Sequence, residues 1–108
     1  DDYVDYASKV TEKVAQDPDT NRGILICRNG AGMDIVANKF KGIRSILGFN
    51  AEQVRLARND DNINILALSS DFIGEKEAKD AAEMFLDTPF EGHERFVRRI
   101  NKIKELEK

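Results

Sequence analysis

Gly23-Ile24-Leu25-Ile26-Cys27-Arg28-Asn29-Gly30-Ala31-Gly32-Met33-Asp34-Ile35-Val36-Ala37-Asn38-Lys39 reads as a buried strand, a glycine-bearing turn and the start of a helix. A strand feeding a helix through a short turn is the building unit of open α/β sheets, whose ligands bind outside the carboxyl ends of the strands. Cys27, the only cysteine of the chain, stands at that end. Gly30 and Gly32 let the backbone turn sharply and approach a bound molecule, while the free N–H groups of the helix start offer donors to an anion. A nucleophile or base beside such donors points to chemistry on a small charged molecule.

Composition narrows the remaining possibilities. A chain of 108 residues with 41% hydrophobic content suits one domain with a modest core. Its net charge of −3 and sequence pI near 5.2 argue against a general binder of nucleic acid or membrane surface, because both need a basic field. No apolar run approaches the roughly 20 residues needed to span a bilayer. A single cysteine makes no internal disulfide, which fits a cytoplasmic location.

Outward from the central stretch, Tyr3, Ala7, Val10 and Val14 recur at helical spacing, with Asp2 as the N-cap candidate, and predict a helix over residues 3 to 16. Asp17-Pro18-Asp19-Thr20-Asn21 stops it. The run from Ile24 to Cys27 has the continuous apolar character of a parallel strand covered on both faces. A short helix from Met33 to Phe40, a strand from Ile43 to Leu47, a helix from Ala51 to Asn59 with an Asn50/Gln53 capping box, and a strand from Ile63 to Leu68 follow. Ala78, Ala81, Ala82 and Phe85 line one face of a helix over residues 75 to 87, and Phe96, Ile100 and Ile103 are the expected buried positions of a last helix over residues 93 to 105. Helices alternating with short apolar strands give an α/β fold with a parallel sheet. Three strands are few for such a sheet, so its faces and edges call for further cover.

Taken singly, each candidate site residue has an ordinary explanation. A lone cysteine at a strand end is more often a small buried hydrophobe than a catalyst; the adjacent helix start and Arg28 are what raise Cys27 above that. The Gly30-Ala31-Gly32 turn is not a dinucleotide fingerprint, since Ile35 stands at the third glycine's place. Arg95 and Arg99 lie four apart on the last helix and can converge on one anion, yet they also fit a solvated basic face shared with Arg98, Lys102 and Lys104. His93, the sole histidine, has no companion for a metal site or a Ser-His-Asp arrangement.

In order along the chain, Gly23-Ile24-Leu25-Ile26-Cys27, Gly30-Ala31-Gly32-Met33 and Ala37-Asn38-Lys39 together resemble the central signature of ribose-5-phosphate isomerase B and the related galactose-6-phosphate isomerase subunits. Asp2-Tyr3-Val4-Asp5-Tyr6-Ala7, Lys41-Gly42-Ile43-Arg44, Leu56-Ala57-Arg58, Asn64-Ile65-Leu66-Ala67-Leu68 and Thr88-Pro89-Phe90-Glu91-Gly92 extend the resemblance over nearly the whole chain. It implies a three-layer αβα sandwich with a parallel, Rossmann-like sheet, residues 1–108 forming one domain that lacks the family's first strands and continues an upstream segment. It also implies aldose–ketose isomerisation of a sugar phosphate through an enediolate, without metal or other cofactor, in a homodimer or homotetramer whose active sites draw on two subunits.

Carried onto this sequence, the resemblance makes Cys27 the base that moves a proton between C1 and C2. The N–H groups from Asn29 through Gly30, Ala31, Gly32 and Met33 become the hole for the enediolate oxygen, and Arg95 and Arg99 the grip on the phosphate. Tyr3 is a candidate for the sugar pocket. The sequence also departs from the family. Arg28 and Asn29 follow the cysteine where the family has Gly and Thr; Phe49 and Phe96 stand where it commonly has His. Ribose 5-phosphate is the leading substrate. A hexose phosphate such as galactose 6-phosphate, or a sugar-phosphate-binding relative without catalysis, is the alternative.

Overall fold

In the computed structural model, which describes residues 2–107, the order of elements is α1 (Tyr3–Ala15), β1 (Gly23–Cys27), α2 (Ala31–Ala37), β2 (Ser45–Gly48), α3 (Ala51–Asp61), β3 (Ile65–Ser69), α4 (Glu75–Asp87) and α5 (Glu94–Glu105). The three strands form one parallel sheet in the order β1-β3-β2, with Cys27 paired to Ser69 and Gly48 to Leu68.

Strand pleating sends alternate residues of β3 to opposite faces. Ile65 and Ala67 join Ala7, Val14, Leu25, Met33 and Ala37 under α1 and α2. Leu66 and Leu68 join Val54, Ala81 and Phe85 under α3 and α4. The sheet thus lies between two helical layers, and β3, buried along its whole length, is the strand covered on both faces.

That reading does not extend to β1. Ile26 is 59% exposed, because β1 pairs with β3 along one edge only and the helices cover its far end incompletely. Other boundaries shift for local reasons. α2 begins two residues early because Gly30 (φ 87) takes the left-handed N-cap conformation. It ends at Ala37, where the Asn38 side chain donates to Ser45 O and accepts from Ser45 N–H, each at 2.9 Å. Ile43 and Arg44 precede β2 instead of belonging to it, their N–H groups donating to Phe40 O and to Asn64 Oδ1.

Within α1 the buried positions are Ala7, Thr11 and Val14; Tyr3 stays half-exposed. Thr11 tolerates burial because its hydroxyl donates to Ala7 O at 2.6 Å. Asp2 occupies the N-cap position without a side-chain capping bond. The cap of α3 forms as expected: Gln53 N–H donates to Asn50 Oδ1 at 2.8 Å, and Gln53 Oε1 accepts from Phe49 N–H, one residue before the usual partner. Ile103 of α5 is 45% exposed instead of buried, since that helix packs on α3 through Phe96 and Ile100.

The amino ends of the strands are stapled by side chains that satisfy backbone carbonyls. Arg58 is only 2% exposed; its guanidinium donates to Thr88 O, Ile63 O and Asn62 Oδ1 at 3.0, 2.6 and 2.9 Å. Burial, with Arg22 and Arg44 nearby, pushes it down to about 10, so it stays charged at neutral pH. Asn64 donates to Gly42 O and Pro18 O beside it. Arg58→Ala strands those carbonyls and should lower unfolding free energy by about 3 kcal/mol in urea titrations. Arg55→Ala, on the exposed face of the same helix, leaves the midpoint in place; equal effects of the two would contradict this account.

Candidate active site

The cysteine and the turn behind it are held together by the backbone. Gly30 N–H donates to Cys27 Sγ at 2.9 Å, closing the turn onto the sulfur. Cys27 is half-buried, packed at the edge of the cluster under α1 and α2 at the carboxyl end of β1. A Cβ on Gly30 would stand 2.6 Å from Leu47 Cδ1 and 3.3 Å from Ser69 Cβ, so both conformation and space select glycine there.

Gly32 has a different reason. A Cβ there would lie 2.6 Å from Tyr3 Cε1 and 2.9 Å from the Tyr3 hydroxyl, which means that the phenol ring rests directly on the first turn of α2. The N–H groups of Gly32 and Met33 belong to that first turn, where no helical carbonyl faces them. Asp34 N–H already donates to Gly30 O, and Ala31 N–H makes a long contact of 3.4 Å to Asn29 Oδ1. The Asn29 side chain is exposed at the mouth of the turn, whereas the Met33 side chain is buried in the core and contributes only its backbone.

Cys27, Asn29, Gly30, Ala31, Gly32, Met33 and Tyr3 therefore come together. Arg95 and Arg99 do not join them within one chain. α5 packs on α3, and its end is fastened by Glu107, whose Oε2 accepts from Gly42 N–H at 2.7 Å near the amino ends of the strands. Arg99 lies close enough to Asp61 to draw its carboxyl down, although burial and Asp60 push it up on balance. Arg95 stands one turn earlier, its guanidinium 4.6 Å from the centre of the Phe96 ring. β1 and β3 run five residues from that end to the cysteine, about 16 Å of strand. Phe49, 64% exposed, follows β2 at the cysteine end of the sheet.

Among the described residues no group of three or more His, Cys, Asp or Glu side chains is placed to hold a metal ion, and no helix is long and apolar enough to cross a membrane. His93 pairs with Glu91 at 2.8 Å and meets the edge of Phe96. Sequence reasoning missed the Arg28–Asp71 ion pair at the rim, because nothing in the spacing of those residues announces it.

A parallel sheet with a glycine turn and a helix start at the carboxyl end of β1 has the architecture of the open α/β proteins that bind ligands at that end. Residues 1–103 match the family model described as Ribose/Galactose Isomerase, and the chain belongs to that family. It is 37% identical over 106 residues to ribose-5-phosphate isomerase B of Escherichia coli, covering 96% of this chain and 70% of the relative. The crystal structure of ribose-5-phosphate isomerase B from Mycoplasma genitalium with bound ribulose-5-phosphate is similar at a TM-score of 0.92 and 43% identity, over 97% of this chain and 68% of that one. The type B ribose 5-phosphate isomerase of Trypanosoma cruzi matches at a TM-score of 0.94 and 38% identity, over 99% and 71% of the two chains.

The two glycines predict separable defects. Gly30→Ala meets Leu47 and Ser69 in a left-handed conformation and should cost about 1 to 3 kcal/mol of stability, read as a lowered Tm. Gly32→Ala meets only the movable end of a half-exposed ring, so it should displace Tyr3, seen as a change in tyrosine emission, with little loss of Tm. The reverse order of Tm losses would contradict the geometry.

Proposed function

We propose that this chain is an aldose–ketose isomerase that interconverts ribose 5-phosphate and ribulose 5-phosphate, with Cys27 as the base. The observation that carries the reading is the half-buried Cys27 beside the Gly30 turn, within a family whose Mycoplasma genitalium member holds ribulose-5-phosphate. In the open-chain aldose the thiolate removes the C2 proton, and the electron pair moves through C1 onto O1, giving an enediolate. The same sulfur returns the proton to C1, while the O2 hydroxyl proton passes to O1, and the ketose results. Carbon acidity of this kind is usable only if the developing oxyanion meets fixed donors, each worth about 3 kcal/mol where measured. The Gly32 and Met33 N–H groups supply them here, with Asn29 at the mouth able to donate and accept.

The phosphate grip comes from a second copy of the chain in this reading. Arg95 and Arg99 sit at the other end of their own sheet, while α5 leaves Val97, Ile103 and Leu106 uncovered, as a helix meant to meet another subunit would. Phosphate held away from the reacting carbons positions them against the sulfur, so its binding energy serves orientation. The protein then works as a homodimer or homotetramer, in the cytoplasm where sugar phosphates are found, and the chain acts as one domain.

A second reading is a sugar-phosphate binder without turnover, favoured by Asn29, Phe49 and Phe96 in place of titrating or hydroxyl side chains. Exchange of solvent deuterium into the sugar separates the two: catalysis labels the carbon next to the carbonyl, and binding alone does not. Galactose 6-phosphate in the same assay tests a hexose substrate.

In a coupled assay with ribose 5-phosphate, Cys27→Ala should abolish turnover, and undiminished activity removes the base. Arg95→Ala should raise KM about tenfold or more with a smaller change in kcat. Co-expressed Cys27→Ala and Arg99→Ala chains should recover activity at low substrate concentration that neither has alone, because a mixed dimer keeps one intact site. No recovery in a verified mixed dimer would refute the shared site.

A further inference from the structure

At the carboxyl ends of β1 and β3 the backbones stay paired beyond the ladder. Ser70 N–H donates to Cys27 O at 2.9 Å, Asp71 N–H to Arg28 O at 3.0 Å, and the Ser69 hydroxyl to the same Arg28 carbonyl at 2.6 Å. These bonds fix Arg28 and Asp71 side by side just past the carboxyl ends of β1 and β3, Arg28 one residue after the cysteine. Their side chains meet as an ion pair, Arg28 Nε to Asp71 Oδ2 at 3.5 Å, longer than a good charge-assisted hydrogen bond. The Arg28 side chain is 89% exposed, and no hydrogen bond among the described residues engages its guanidinium.

Four other arginines of the chain are committed elsewhere. Arg22 donates to Phe85 O and Leu86 O, Arg44 to Asn62 O, and Arg58 to the carbonyls described above, all near the amino ends of the strands. Arg55 is taken up by Glu52. Arg95, Arg98 and Arg99 stand on α5, which leaves Arg28 as the arginine that follows the cysteine at the carboxyl end of β1. An exposed pair of this length adds little to stability, so a competing anion displaces the carboxylate at small cost. A phosphate dianion is a stronger competitor than one carboxylate, carrying more charge and accepting two parallel N–H bonds from the guanidinium fork.

We propose that Arg28, beside Cys27 at the carboxyl end of the sheet, adds a contact from this chain to the phosphate that Arg95 and Arg99 of a second copy grip, and that Asp71 is the internal counter-anion that sets how tightly it does so. This rests on the sugar-phosphate reading of the site. Arg28 is then a binding residue, and Asp71 a positioning residue that acts only through it. Because both are solvent-exposed, the contact weakens with ionic strength.

Two measurements on wild type, Arg28→Gln, Asp71→Asn and the double variant test this: kinetics with ribose 5-phosphate, and titration with inorganic phosphate followed by backbone amide NMR. Arg28→Gln should raise KM about fivefold, more than it lowers kcat, and flatten the rise of KM with salt. Asp71→Asn should lower KM about twofold, and that gain should vanish in the Arg28→Gln background. An unchanged KM in Arg28→Gln, or an Asp71 effect of equal size in both backgrounds, overturns the proposal. The phosphate titration reads the contact without turnover: shifts at Arg28 that disappear in Arg28→Gln uphold it even in a protein inactive on sugar phosphates, where the isomerase reading alone fails. No phosphate-dependent shift at Arg28 in an active wild type refutes the contact and leaves the isomerase reading standing.

Discussion

The bond from Gly30 N–H to Cys27 Sγ is the constraint on which the site depends. It exists because Gly30 adopts a left-handed conformation with Leu47 and Ser69 packed where a side chain would be, so the strand must leave the sheet and enter α2 within three residues. That short passage keeps Cys27 at the helix start, half-buried at the edge of the cluster under α1 and α2. Tyr3 follows from the same passage, since its ring can lie on α2 only where Gly32 offers a bare backbone. One turn therefore sets the place of the sulfur, the donors and the phenol together.

The sheet's two ends divide the work of the molecule. At the amino ends of the strands, Arg58 and Asn64 are nearly inaccessible and their donors go to carbonyls that would otherwise be buried without partners. Side chains there are fixed by what they hold, and the cost of removing one is structural. At the carboxyl ends Ser69 is buried with its hydroxyl on Arg28 O, but Arg28, Asn29 and Asp71 are exposed, and the backbone N–H groups of the α2 start have no helical acceptor. The buried polar staples and the candidate site are thus about 16 Å apart, the length of the five-residue strands between them. The same distance keeps Arg95 and Arg99 from serving the cysteine of their own chain.

Much of this was legible in the sequence because its signals were local. The period-3.6 spacing of α1 and α4, the Asn50/Gln53 cap and the unbroken apolar run of β3 each report on neighbours a few residues away. The glycine turn was legible for the same reason, and it carried the cysteine, Asn29 and the donor groups with it. Exposure of Ile26 was not legible, because an edge strand and a central one can have the same composition; only strand order tells them apart. Nor was the exposure of Ile103, whose spacing is that of a buried position on a helix that finds cover along part of its face. The separation of Arg95 and Arg99 from Cys27 depends on where α5 docks, and their four-residue spacing says nothing about that. Thr11 was missed as a buried position since its hydroxyl is satisfied by its own helix.

As the sole cysteine, Cys27 can be followed in the intact protein by the rate at which iodoacetamide alkylates it, read by mass. The account predicts that ribose 5-phosphate slows this alkylation in a saturable way, while unphosphorylated ribose at the same concentration does not. An alkylation rate indifferent to saturating sugar phosphate would place the ligand away from the sulfur and contradict the claim that this turn is the site.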